Sequence, residues 1–304
     1  MKCSAIIVTY NGMQFYDAYF RCLLASTIRL EIICVDNNSS DESRNYIKNK
    51  FPEIQLIENG MNVGFALANN FALKLAYNNG SDFFFLLNQD AWVENDTVEK
   101  LINFLIKHPE YGIASPIHLN ADKSHFDKSF LGYFYSSKTI HAYENLKLEK
   151  NEPACYDTNF FNAAAWLITR KCLEVVGGFD TILFKHYGED NNYCDRAKYH
   201  NFKIAIVPSA SICHDREHRS IIPGAITFSN DVPFCIRYAN ILTPWKCYIR
   251  HIFGLLIKCN IFQFLRNLIF IIKNYKKIFV SRRRNKKYGY KFIMRYTEIR
   301  EKYL

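Results

Sequence analysis

Phe83-Phe84-Phe85-Leu86-Leu87-Asn88-Gln89-Asp90 is an unbroken apolar run that ends in two amides and an acid. A strand with one wet face alternates apolar and polar residues. A run without alternation suits a strand covered on both faces, as in parallel sheets flanked by helices. The polar triplet then falls at the carboxyl end of that strand, where open α/β sheets bind their ligands.

The neighbouring segments fit the same architecture. Ala5 to Val8 is a short apolar run ending in Thr9-Tyr10-Asn11-Gly12, and a helical pattern follows from Met13 to Ala25. Glu31 to Val35 is a second strand, broken by Asp36-Asn37-Asn38-Ser39-Ser40-Asp41, with Ser40 placed to cap a helix that runs to Lys50. Ile54 to Ile57 has strand character, and Phe65 to Tyr77 and Thr97 to Lys107 have helical spacing. This βαβα order predicts a mostly parallel sheet with right-handed crossovers. Residues 120–155 are polar and irregular and predict a loop. After the apolar segment Asn159 to Ile168 come a helix from Arg170 to Val176 ended by Gly177-Gly178, a short helix from Asp190 to His200, and a strand from Ile204 to Val207 stopped by Pro208.

The chain has 304 residues, 49% of them hydrophobic, enough for one large α/β domain with an appendage. Its ten cysteines are scattered with no C-x-x-C pair, which fits buried thiols of a reducing cytoplasm better than a zinc site. No signal peptide precedes the first strand, and no uncharged apolar run reaches the roughly 20 residues that span a bilayer. Action in the cytosol or on the inner face of the cell membrane is therefore expected. Asn11-Gly12-Met13-Gln14 does not supply the G-x-G-x-x-G of a dinucleotide oxidoreductase.

Four polar constellations carry the chemistry. Asp36, just beyond a strand, suits a base or ribose, although Asp-Asn-Asn-Ser-Ser is also ordinary turn chemistry. Asp90 offers an oxygen ligand for Mg²⁺ or Mn²⁺ at the strand end, or else caps a helix near Val93. Glu189 and Asp190 open a helix, where a carboxylate can act as general base or simply complement the helix dipole. His214, after a further strand, can complete a metal site or serve the core.

In this order the motifs resemble family 2 inverting glycosyltransferases of the GT-A fold, nearest to their rhamnosyltransferase-like branch. The resemblance rests on Ile6–Asn11, Val35–Asp41, Asn62-Val63-Gly64-Phe65-Ala66, Leu86–Asp90, Gly177-Gly178-Phe179-Asp180, and Gly188-Glu189-Asp190 with Asp195 and Arg196. It covers about residues 3–220 and implies a GT-A domain over 1–220 with a basic helical extension over 221–304. It also implies roles. Thr9, Tyr10, Asn11 and Asp36 would line the nucleotide pocket. Asn62, Gly64, Asn69 and Asn88 would follow the ribose-diphosphate path. Asp90, with His214, would hold Mg²⁺ or Mn²⁺. Asp190 would be the catalytic base beside Glu189, with Gly178 to Asp180 bordering the acceptor. Asn88 departs from the family's D-x-D, where the first position is often Asp. The implied reaction moves a sugar from a nucleotide-sugar donor, dTDP-rhamnose or a UDP-sugar, to an oligosaccharide or lipid-linked glycan in surface polysaccharide synthesis. A non-catalytic nucleotide-sugar-binding relative and a membrane-binding scaffold are the alternatives.

Charge is distributed unevenly. From Arg237 onward 17 Lys/Arg stand against 2 Asp/Glu, in a chain whose net charge is +10. Apolar residues mixed with Arg250, Lys258, Arg266 and Lys273 suit an interfacial helix, and Ser281-Arg282-Arg283-Arg284-Asn285-Lys286-Lys287 adds a polybasic cluster. An anionic membrane surface is the expected partner. Nucleic acid is not, since no recognised motif accompanies the charge. A helical hairpin packed on the catalytic domain is the other expectation for this segment.

Overall fold

Nine strands form one mixed sheet among the residues that the computed structural model describes, 1–134, 154–216 and 229–287. They are β1 (Cys3–Thr9), β2 (Leu30–Asp36), β3 (Gln55–Glu58), β4 (Phe83–Asn88), β5 (Ala91–Val93), β6 (Tyr111–Leu119), β7 (Tyr156–Thr158), β8 (Ala165–Thr169) and β9 (Lys203–His214). Their spatial order is β3-β2-β1-β4-β8-β6-β9-β5, with β7 also on β9. The first four in that order are parallel; β8 runs antiparallel between β4 and β6, and β6 and β9 are parallel.

The Phe-rich strand is covered on both faces. Phe83, Phe85 and Leu87 join one apolar cluster, and Phe84 and Leu86 join the other. Helices α1 (Tyr16–Leu24), α2 (Ser43–Lys50) and α4 (Thr97–Lys107) supply the first layer through Tyr19, Phe20, Ile47 and Leu101. Helices α3 (Gly64–Asn78), α6 (Arg170–Val176) and α7 (Glu189–Tyr199) supply the second through Ala68, Leu73, Leu173 and Tyr193. Each large apolar side chain so buried contributes about 1.5–3 kcal/mol.

Several local expectations are corrected. Ser40 does not cap α2: the helix begins at Ser43, Glu42 takes the N-cap position without a side-chain bond, and Ser40 is drawn to Asn11. Pro208 does not stop its strand. β9 runs on to His214, and its register against β6 slips between Val207 and Ser211, where Pro208 sits without breaking a ladder. Val93 lies in a strand, so Asp90 caps no helix there. The expected loop over 120–155 contains α5 (Lys128–Phe134); residues 135–153 lie outside the described residues, as does the expected domain boundary near 220.

The C-terminal region forms α8 (Val232–Ala239), α9 (Trp245–Ile257) and α10 (Ile261–Asn285). α8 and α10 share an apolar cluster with Leu183 and Phe184 from the segment before α7. Their fastening is polar. Asp180, fully buried, accepts from Ser281 Oγ and, at 2.9 Å, from Asn285 Nδ2. Arg282 donates to the carbonyls of Tyr238, Asn240 and Thr243 and stacks on Trp245, 4.6 Å from the ring. The polybasic cluster is therefore not all available to lipid, because Arg282 is 4% exposed and spent on backbone carbonyls. No helix among the described residues is long and apolar enough to cross a membrane.

Candidate active site

Thr9, Asp36 and Asn88, three of the expected site residues, lie at the carboxyl ends of adjacent parallel strands. Strand register fixes the donor side: Thr9 lies opposite Asp36 across β1–β2, and Val8 opposite Asn88 across β1–β4, so the loops after three parallel strands meet. Asn11, with φ +48°, joins two of them, since its Oδ1 accepts the Ser40 N–H at 2.8 Å and its own N–H reaches Ser39 Oγ at 2.9 Å. Asp36 is fully buried. It accepts from the Ser39 amide and hydroxyl, and Arg44 stands 3.7 Å away. Burial raises the Asp36 carboxyl above its usual value, while the Ser39 hydrogen bonds oppose the rise. The carboxylate thus organises its own loop. Thr9 is also buried, its hydroxyl against the Val35 carbonyl at 3.5 Å, while Tyr10 and Asn11 are half-buried.

Gln89, between Asn88 and Asp90 and given no role of its own by the sequence, clamps the Tyr10 backbone. Its Oε1 accepts the Tyr10 N–H at 2.8 Å and its Nε2 donates to the Tyr10 carbonyl at 3.2 Å. Asn62 Oδ1 accepts the Gly64 N–H at 3.0 Å at the start of α3. Gly64 has φ +82°, and a Cβ there would come within 2.8 Å of the His186 ring, so the glycine permits both the turn and the approach of the 181–190 segment. Asn69 is buried and bonds its own helix at the Phe65 carbonyl, away from a ligand path. Its neighbour Asn70 holds Phe179 by both backbone groups, at 2.7 and 2.9 Å.

At the other end of the edge, Asp90 Oδ1 lies 3.3 Å from His214 Nε2. Antiparallel pairing of β5 with β9 sets Ala91 against His214, and the Asp215 N–H reaches the Asp90 carbonyl at 2.8 Å, so the pair is fixed by backbone. His118 meets His214 edge to face, at 5.9 Å between centroids, and burial holds its imidazole well below its ordinary value. Among the described residues no group of three or more His, Cys, Asp or Glu side chains could hold a metal ion.

Glu189 and Asp190 open α7 behind Gly188, whose φ is +87°. A Cβ on Gly188 would lie 2.8 Å from Ile236 of α8, so the C-terminal region limits where the first turn can sit. Asp190 accepts from the Asn191 amide at 2.8 Å and from the backbone of Ala163. The next residue, Ala164, accepts the Asn88 N–H at 2.9 Å, which links Asp190 to the donor edge through two adjacent residues. Burial pushes the Asp190 carboxyl up to about 6, against the pull of those amides. Burial, and then the Asp190 charge, pushes Glu189 up to about 8. Glu189 Oε2 is buried with no hydrogen-bond partner. Arg196 binds the Val176 and Gly178 carbonyls, fixing the Gly177-Gly178 turn, and Asp195 pairs with Lys198 at 3.1 Å. Asp180 points into the core toward α10, not along an acceptor surface.

The sequence profile of glycosyl transferase family 2 matches residues 4–169. The chain belongs to glycosyl transferase family 2. The family match ends on the last residue of β8, before Asp190. Two relatives extend it: an N-acetylglucosaminyl-diphospho-decaprenol L-rhamnosyltransferase of Mycobacterium tuberculosis is 23% identical over 70% of this chain and 76% of its own length. A dTDP-rhamnosyl transferase RfbF of Shigella flexneri is 23% identical over 71% and 70%. The GT-A fold is shown by S. aureus TarS 1-349 in complex with UDP-GlcNAc, with TM-score 0.59, 15% identity, and coverage of 80% of this chain and 67% of that one. Another TarS 1-349 structure is spanned over 60% of its length. The mannosyltransferase PcManGT from Pyrobaculum calidifontis, solved with GDP-Man and Mn²⁺, gives TM-score 0.55 at 18% identity, covering 82% and 64%. This family 2 member is similar to the two rhamnosyltransferases over about seven tenths of its length.

Proposed function

We propose that the protein transfers a sugar, rhamnose foremost, from a nucleoside-diphosphate donor to a hydroxyl of a lipid-linked glycan, with inversion at the anomeric carbon. The observation that carries this reading is Asp190, held at a helix start with its carboxyl at about 6 and tied through Ala163 and Ala164 to the strand end that bears Asn88. A base of that affinity is ionised at neutral pH yet still accepts a proton as charge develops on its partner. Asp190 takes the acceptor hydroxyl proton as that oxygen attacks the anomeric carbon. The bond from that carbon to the diphosphate breaks, and its electron pair leaves with the diphosphate.

Glu189, protonated at neutral pH, leaves Asp190 the one negative charge of the pair. Thr9, Tyr10, Asn11 and the Asp36 loop form the nucleotide wall, with Asn62, Gly64 and Asn88 along the diphosphate path. Asn69, bonded within its helix, supports α3 from inside. The donor set of Asp90 and His214, one carboxylate oxygen and one imidazole nitrogen 3.3 Å apart, would suit a divalent cation of the Mg²⁺ or Mn²⁺ kind. Such a cation, when bound, neutralises the departing diphosphate. The named substrates of the two rhamnosyltransferase relatives support rhamnose and a polyprenyl-diphosphate acceptor.

The exposed faces of α9 and α10, with Phe253, Ile257, Phe262 and Ile272 at 59, 84, 73 and 62%, support a peripheral position on an anionic membrane at its cytoplasmic side. The first test is release of nucleoside diphosphate from dTDP-, UDP- and GDP-sugars in the presence of a lipid-linked acceptor, with Mg²⁺, Mn²⁺ or chelator. One donor should turn over, and Asp90→Ala should abolish its metal response. No turnover and no donor binding by calorimetry would overturn the proposal.

A further inference from the structure

The C-terminal helices hold a feature that neither sugar transfer nor flat attachment to a bilayer uses. A cavity of about 450 Å³, open to the surface, lies between α9 and α10. Trp245 from α9 and Ile271, Tyr275, Ile278, Phe279 and Val280 from α10 form its walls. The floor is firm, since Ile278 is buried in the cluster shared with Leu183 and Phe184, and Arg282 pins the Trp245 end to three carbonyls. The walls stand in solvent: Trp245, Tyr275 and Phe279 are all exposed.

A furrow with an apolar lining and a rigid floor is suited to one hydrocarbon chain, whereas a flat stripe meets many. The rim has a sign. Lys276 belongs to the lining, and Lys276, Phe279 and Arg283 recur at i, i+3 and i+7 on one exposed face of α10, so cations flank the apolar trough. The cluster beneath the trough continues through Leu183 and Phe184 into the segment that ends at Glu189 and Asp190, which places the trough one helix layer behind the catalytic turn.

We infer that this trough binds the hydrocarbon chain of the phosphorylated lipid that carries the acceptor sugar, with Lys276 and Arg283 drawing its phosphate. The inference rests on the lipid-linked acceptor proposed above and adds the residues that hold the lipid. Bilayer lipid makes the competing claim on the same surface, and the two differ in selectivity. A bilayer face has no preference for one chain type, while a trough of fixed width does.

The full-length protein in nonionic detergent is titrated with a long-chain polyprenyl phosphate and, separately, with phosphatidylglycerol, while tryptophan emission is followed. Trp245 is the reporter, and Trp245→Phe must remove the response. The expected result is a blue shift half-complete at a tenfold or lower concentration of polyprenyl phosphate than of phosphatidylglycerol. Val280→Phe, which narrows the trough from an exposed position, should raise that concentration at least tenfold with melting temperature and donor binding unchanged. Phe279→Ser, which removes a wall, should act in the same direction. Equal responses to the two lipids would overturn the inference and make the trough part of a general bilayer face. No response to either, with sugar transfer intact, would overturn it and leave the proposed function standing. A selective response without nucleotide-sugar binding would keep the trough and remove the proposed function.

Discussion

The two ends of the site are built in opposite ways. On the donor side the polar groups are bonded to one another: Asp36 to Ser39, Asn11 to Ser39 and Ser40, Gln89 to both backbone groups of Tyr10. On the acceptor side two adjacent acids open a helix, Glu189 buried and Asp190 half-buried, both with raised pKa values, and one oxygen of Glu189 has no hydrogen-bond partner. A bonded loop is rigid and chemically quiet. A buried acid without a full set of partners costs stability and is poised to exchange a proton. On the proposed reading, the donor edge positions and the acceptor edge reacts.

Asp190→Asn is the strongest attack on that division. Turnover should fall about 10²–10⁴-fold, the usual contribution of a positioned base, with donor affinity by calorimetry unchanged. The wild-type kcat/KM should rise with pH through about 6, as Asp190 loses its proton. A variant that keeps more than a tenth of the activity would move the base elsewhere. Glu189→Gln comes next. Because the folded-state carboxyl lies near 8, above its unfolded value, the native state binds the extra proton and wild-type stability falls as pH rises from about 4.5 to about 8. Gln cannot ionise, so its advantage in unfolding free energy from urea titration should grow across that window by about 1 kcal/mol per pH unit and then level off. A constant difference would show that Glu189 ionises freely.

Asp36→Ala sharpens the other side. It strands the buried Ser39 amide and hydroxyl and should cost about 1–3 kcal/mol in denaturant unfolding, with the pH dependence of turnover left in place. A shifted pH profile would mean that the donor loop also titrates in the reaction. Ser40→Ala should be the mildest. Ser40 is exposed and caps no helix, so a change within about 0.5 kcal/mol is expected, and a loss above 1 kcal/mol would restore the capping role.

The sheet was legible because its strands are unmixed apolar runs whose burial depends on local composition: Phe83 to Leu87 needed no partner to be recognised. The polar edge was legible by position alone, since a strand end fixes where Asp36, Asn88 and Asp90 lie. What each polar group bonds was not, because the partners are far apart in the chain. Gln89 meets Tyr10 at a separation of 79 residues, and Asp180 meets Asn285 at 105. Pro208 misled for a related reason: a proline ends a strand only where its missing N–H is required, and a slipped register removes the requirement. Arg282 looked like its neighbours Arg283 and Arg284 until helix phase turned it inward onto three carbonyls.

That bond from Asp180 to Asn285 also sets a time. Chains emerge from the ribosome at about 5–20 residues per second, so the 105 residues that separate the two partners take roughly 5–20 s to synthesise. Throughout that interval strands β1 to β4 have already been made, while the turn bearing Asp190 waits for its far support. On the proposed reading, a newborn chain has its donor-side strands before the far support of its base.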